Sequence, residues 1–226
     1  MATATATGKV TTIPRSYIYA IIPAAVALNV VGGYINTVLR LPTFLDTIGT
    51  AVVAMTVGPW WGALAGATTN IIKGFTVGPI SIPFAASNVA AALIWGYGVR
   101  WGMGKSFVRF LIMSLVVAVV VASVNVPIAV FIFGGATGHF SDVIAAAFLG
   151  MGQRLFVSVF SAKILVELAD KIISSFVALA ILGALPPSLT KKVTIVGQAR
   201  MQLVVWIAAG IVLSALLIFI FLYAFS

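Results

Sequence analysis

The sequence predicts an all-α, polytopic membrane protein, and three observations carry that prediction. Hydrophobic residues fill 62% of the 226 positions and charged ones only 8%, more apolar surface than a soluble domain buries. The apolar positions gather into runs long enough to cross a bilayer as helices, each bounded by Gly, Pro or charge. The basic residues stand at the ends of those runs rather than over one face. At roughly 20 residues per span, the chain accommodates about six or seven spans and no second domain.

Residues 1–15, MATATATGKVTTIPR, lack an apolar core and read as a disordered cytoplasmic tail. No cleavable signal peptide is visible, so the first span serves as its own insertion signal. Spans are expected at 17–38, 44–58, 60–76, 84–101, 107–133, 160–185 and 201–225. Gly58 and Pro59 make a tight reversal between two short abutting helices, and TVGPISIP at 76–83 makes a second. The segment 140–159 is apolar on one side but carries Asp142, Gln153 and Arg154, which suits an interfacial or re-entrant helix better than an eighth span. The last run, LVVWIAAGIVLSALLIFIFLYAF at 203–225, reads as peripheral and lipid-facing; it follows a cytoplasmic linker in the segment 191–226.

With the N-terminus cytoplasmic, eight of the thirteen basic residues fall inside: Lys9, Arg15, Arg100, Lys105, Arg109, Lys191, Lys192 and Arg200. Arg40, Lys73, Arg154, Lys163 and Lys171 fall toward the outside together with all four acidic residues, Asp46, Asp142, Glu167 and Asp170. This satisfies the positive-inside rule for a multi-pass membrane protein with its N-terminus inside. Charge pairs are then expected in the outer half.

Several function classes fall away. Without Cys, and with His139 as the one histidine, there are no thiolate sites and no dedicated zinc site is expected. No Gly-x-Ser-x-Gly elbow or Gly-x-x-x-x-Gly-Lys phosphate loop occurs, so neither catalysis nor ATP hydrolysis by those routes is expected. The net charge of +9 orients the chain in the bilayer; nucleic acid would need a soluble basic face with aromatics interleaved.

Ionisable residues within a span are costly, about 2.5–3.5 kcal/mol each on insertion scales, and point to function. In LVELADKIISSF, residues 165–176, helical spacing sets Glu167 beside Lys171 at i+4 and leaves Asp170 over. The group is either a salt-bridged anchor or one wall of a ligand pocket. Lys73 either snorkels to the headgroups or joins that pocket, and Asn70, three residues before it on the same face, needs partners if buried. Asn88 caps its helix or meets a ligand, Ser87 reads as a helix cap, and Asn125 adjoins the helix-disturbing Pro127. Asp46 and Thr47 read as a cap on the second helix, with Arg40 as the loop partner of Asp46. Trp60 and Trp61 suit an inner aromatic belt. His139 and Asp142 lie in a Gly-rich loop, GGATGHFSD, long enough to close over a ligand.

Two stretches carry a family likeness. LRLPTFLDTIGTAVVAMTVGPWWGALAGATTNIIKGF at 39–75 resembles the substrate-binding S-components of energy-coupling factor (ECF) vitamin transporters. There, a Pro-bounded loop and a Leu-Asp-x-Ile-Gly segment precede Gly-Pro-x-x-Gly and a Gly-spaced helix. VELADKIISSFVALAILGALP at 166–186 is similar to the last core helix of that family. The likeness covers 16–190 and implies a six-helix substrate-binding core; the seventh span departs from it. The resemblance further implies capture of a vitamin or related micronutrient from outside, no ATPase in the chain itself, and a partner module of one membrane T-component with two ATPases. The family's Ala-x-x-x-Ala pattern in the first helix is matched by Ala20 and Ala24, which implies docking on the T-component. Small residues at that spacing also let two helix backbones approach closely in lipid.

The expected function is therefore an S-component without catalytic residues, metal or cofactor. A flat heterocycle would bind at Asn70, Lys73, Asn88, Asn125, Glu167, Asp170 and Lys171. Lys73, Arg154 and Lys171 would tolerate a carboxylate or phosphate on that ligand. The alternatives are a self-sufficient secondary transporter, whose mark would be inverted repeats and a mid-membrane charge, an intramembrane enzyme, or a scaffold that binds no ligand.

Overall fold

The computed structural model describes residues 14–224, so the tail expected over 1–15 lies almost wholly outside the described residues. Within them the chain is all-helical, 82% helix with no strand. Four helical stretches are long and apolar enough to cross a membrane: Arg15–Leu39, Pro79–Arg100, Phe107–Ile132 and Arg200–Ile220.

The first of these, α1 (Arg15–Leu39), carries Pro23 in its interior and ends at Arg40 in the left-handed region, φ 50°. An irregular loop then runs to α2 (Ile48–Thr56), a helix of nine residues, all of them buried. Gly58 and Pro59 reverse the chain into α3 (Pro59–Thr76), as the sequence predicts. A second reversal through Pro79–Ser81 leads to α4 (Ala85–Arg100). Next comes α5 (Phe107–Pro127), which runs through Pro127 into a single π turn, Ile128–Ile132.

The segment expected to be one interfacial helix divides in two. Ser141–Gly150 forms α6, about 15 Å long and too short to span. Gly152, at φ 85°, breaks the chain, and residues from Leu155 onward belong to α7 (Leu155–Ala184), which is 30 residues long. A single turn, α8 (Pro187–Thr190), and the long apolar α9 (Arg200–Ala224) complete the chain.

A short buried helix in a membrane protein has terminal backbone groups that water cannot reach. Side chains from other helices satisfy both ends of α2. Asn29 of α1 accepts from the Gly49 N–H at 2.7 Å through Oδ1, while its Nδ2 donates to Thr50 and Thr69 hydroxyls at 2.9 and 3.0 Å. Arg100 of α4 donates to the carbonyls of Ala54 at 3.2 Å, Val57 at 3.3 Å and Gly96 at 2.7 Å. The cap expected from Asp46 is thus supplied by Asn29, and no side-chain cap comes from Thr47. Gly49 also touches the α1 backbone, where an added Cβ would lie 2.2 Å from the Ala25 carbonyl oxygen.

The core behind α2 is aromatic. Trp95 of α4 is fully buried and donates to Ser175 Oγ of α7 at 2.9 Å, and Phe110 meets Phe176 edge-on at 5.3 Å. At the Arg100 end Trp60, Trp61 and Trp101 are exposed, an arrangement suited to a headgroup belt.

The last helix is peripheral, as expected, but it is docked rather than merely lipid-facing. Leu203 reaches Gly183, Gly210 faces Phe176, and Ser214 donates to the Ala169 carbonyl at 2.6 Å, an antiparallel register along α7. A Cβ on Gly210 would lie 2.2 Å from the Phe176 ring, which Phe107 and Phe110 hold in place. Gly210→Val is therefore expected to destabilise the protein by about 1–3 kcal/mol through overpacking. Thermal unfolding in detergent tests this, and an unchanged midpoint would mean that α9 does not dock here.

Candidate functional site

All four acidic residues and the cations Arg40, Lys73, Lys163 and Lys171 gather at one end of the bundle, around a cavity of about 580 Å3. The volume lies in the range of small-molecule sites. Beside it runs the loop between α1 and α2, and the loop between the π turn and α6 meets that segment from the other side.

The α1–α2 loop is irregular backbone, with Arg40 and Leu45 in the left-handed region, and its polar groups need partners. Asp170 of α7 provides one set: its Oδ1 accepts from the N–H groups of Phe44 at 2.8 Å and Leu45 at 2.7 Å. From α1, Asn36 Nδ2 donates to the carbonyls of Leu41 and Thr43 and to the Thr43 hydroxyl. His139 closes the other side, with Nε2 2.8 Å from the Thr43 carbonyl and its ring stacked on Phe44 at 4.2 Å. Because the Ser141 N–H donates to His139 Nδ1 at 3.1 Å, the proton belongs on Nε2, which donates to Thr43. Asp142 orders the same loop by accepting from the N–H groups of Thr137 at 2.6 Å and Gly138 at 2.7 Å.

The charges form a chain along the wall. Asp46 pairs with Lys73 at 2.5 Å, so its expected partner Arg40 is not the one it takes, and Lys73 does not snorkel. Lys171 donates to Asp170 Oδ2 at 2.5 Å and Thr47 Oγ1 at 3.3 Å, and its Nζ lies 3.2 Å from Glu167 Oε2 as an ion pair, an oxygen that is buried without a hydrogen-bond partner. Glu167 Oε1 accepts from Asn125 Nδ2 at 2.7 Å. The expected i, i+4 pair of Glu167 and Lys171 is present.

Of the seven residues the sequence singles out for ligand contact, the structure brings Asn70, Lys73, Asn88, Asn125, Glu167 and Lys171 to the cavity wall. Asp170 stands behind it, with both oxygens engaged. Asn70 donates to the Phe84 carbonyl at 3.3 Å. Ser87 donates to that carbonyl as well, at 2.7 Å, rather than capping the helix. Asn88 does not cap either: its Nδ2 and the Oδ1 of Asn125 are buried without a hydrogen-bond partner. Arg154 is exposed and off the wall. Ala20 and Ala24 are exposed on α1, far along the helix from the cavity.

The wall also holds Lys163, which sequence reasoning counted only among the outer basic residues. It is 2% exposed, and its Nζ meets the hydroxyls of Ser141 at 2.9 Å and Thr137 at 3.4 Å. It also lies 5.5 Å from the Phe44 ring centre and 5.9 Å from that of Phe84. Its position four residues before Glu167 on one helix was the available signal. Asn29 and Asn36 were missed as well, although an amide in an apolar helix needs a partner by the same reasoning applied to Asn70. Among the described residues no group of three or more His, Asp and Glu is placed to hold a metal ion.

Comparisons with protein-family models, with curated proteins and with solved structures return no match.

Two outcomes follow from the loop contacts. Asp170→Ala would strip Lys171 of its nearer counter-ion and free two N–H groups, so a loss of about 3–5 kcal/mol is expected. Hydrogen exchange should rise in 41–47 along with it; a protein of unchanged stability would show that Asp170 is not the anchor. Burial, and next the nearby Lys163 charge, depress His139 to about 4 from an ordinary 6.5. Its neutral form thus contributes stability that is complete above pH 6.5 and is withdrawn as pH falls toward 4, because the unfolded chain takes up the proton first. Protection of 41–47 should fall between pH 7 and 5, and His139→Gln should flatten that dependence.

Proposed function

We propose that the chain is the substrate-binding S-component of an ECF-type importer. It captures a vitamin or related micronutrient in the cavity at the acidic end, and a membrane T-component with two ATPase subunits drives release on the other side. The observation that carries the reading is the cavity of about 580 Å3 at one end of a helical membrane protein, where Asn70, Lys73, Asn88, Asn125, Glu167 and Lys171 converge. That end would face outward, since among the described residues Arg15, Arg100, Lys105, Arg109, Lys191, Lys192 and Arg200 belong to the other side. In this reading the six-helix core is α1 to α5 with α7, α6 lies at the interface, and α9 is an addition. The exposure of Ala20 and Ala24 on α1 leaves a small-residue face free for a partner helix.

Mass spectrometry of small molecules that co-purify with the detergent-solubilised protein, checked by calorimetry against a vitamin panel, is the direct test. One tightly bound micronutrient is expected; none across the panel would shift the reading to an ion-coupled transporter or a scaffold. Ala20→Arg or Ala24→Arg should abolish uptake and leave ligand binding intact. If binding is lost as well, the two alanines are not a docking face.

A further inference from the structure

We infer that the cavity takes a ligand bearing an anionic group, a carboxylate or a phosphate, and that this group is seated on Lys163 Nζ.

Four cations line the cavity, and their surroundings differ. Lys73 is matched by Asp46, and Lys171 by Asp170 and Glu167. Arg40 stands at an exposed position where water can solvate it. Lys163 is 2% exposed and has no carboxylate within ion-pair distance among the described residues. A lysine this deeply buried is almost always paired, because an uncompensated ammonium in a dry site is costly. Two hydroxyls and two ring faces solvate Lys163 but carry no negative charge.

The carboxylates nearby are committed elsewhere. Glu167, one turn along α7, accepts from Asn125 through one oxygen, and its other oxygen is ion-paired with Lys171 at 3.2 Å, with no hydrogen-bond partner. Asp142 gives both oxygens to the backbone and hydroxyl of the 137–138 turn. With two of its three donors on hydroxyls, Lys163 has one N–H left for a ligand. The same wall carries Asn88 and Asn125, each 5% exposed, with a donor and an acceptor unpartnered. The pocket is thus built for a small molecule with one negative group and further donor and acceptor atoms.

The inference deepens the capture reading and rests on it for its physiological meaning. Thermal unfolding of the washed, detergent-solubilised full chain tests it without knowledge of the ligand, with sodium acetate and inorganic phosphate as probes. In chloride, Lys163→Met keeps the apolar stem and removes the unmatched charge, so its midpoint should lie about 2–4 °C above that of the native chain. Replacing chloride with acetate or phosphate at constant ionic strength should raise the midpoint of the native chain and of Lys163→Arg, and leave Lys163→Met unmoved. A response to acetate alone assigns a carboxylate, and one to phosphate alone a phosphoryl group. If Lys163→Met instead unfolds at lower temperature and neither anion separates it from the native chain, Lys163 is a tether for Ser141 and Thr137 and the inference is overturned. An S-component for an uncharged micronutrient would fail here yet still co-purify with its ligand, so this failure is distinguishable from failure of the capture reading.

Discussion

The satisfaction of the α2 backbone is the constraint on which the rest of the architecture depends. Nine residues of helix span about 13.5 Å, less than half of a hydrocarbon core about 30 Å thick. A helix that ends inside the bundle is tolerable only if protein groups replace water at its ends. Asn29 and Arg100 do so, and in doing so they fix α1, α3 and α4 around α2. Because α2 stops short, the volume toward the acidic end is not filled by helix. The cavity is the consequence, and the irregular chain 40–47 runs through the depth that a longer helix would have occupied.

That irregular chain borders the cavity. Non-helical backbone at membrane depth persists only where it is buried in protein or lines a cavity, and here Asp170, Asn36 and His139 supply its partners. Phe44 lies at the crossing point: its N–H is held by Asp170, and its ring stacks on His139 and lies within 6 Å of both Lys163 and Lys171. Moving the loop outward would break the Asp170 bonds and strip both lysines of an aromatic face. Loop position and the electrostatics of the cavity are therefore coupled through one residue.

Much of this was legible in sequence, and the parts that were not share a cause. Apolar runs bounded by Gly, Pro and charge located the long helices, and i, i+4 spacing gave the Glu167 and Lys171 pair. Spacing along one helix says nothing of partners from another. Asp46 therefore looked like a cap and a match for Arg40, whereas Lys73 of α3 takes it. Asp170 looked spare because its ligands are backbone N–H groups more than a hundred residues away, which no side-chain pattern records. The break at Gly152 was hidden for another reason: apolar residues in 141–150 are followed by more in 155–159, and only residues 151–154, with Gly152 left-handed, separate the two helices.

The charge on α7 gives α9 a role beyond that of an appended span. Lys163, Glu167, Asp170 and Lys171 make α7 a poor candidate for contact with lipid, and it is absent from the helices apolar enough to cross unaided. Its charged residues are solvated by loops, hydroxyls and one another. Another face, marked by Ala169, Phe176 and Gly183 at seven-residue spacing, is taken by Ser214, Gly210 and Leu203 of α9. Spacings of seven residues on α7, and of seven and four on α9, keep each set on one side of its helix, and the small residues at Gly183 and Gly210 let the backbones close. The α9 helix therefore covers α7 from Ala169 to Gly183 and presents an almost purely apolar surface in its place, so that this part of the most polar helix of the bundle need not meet the hydrocarbon on that side.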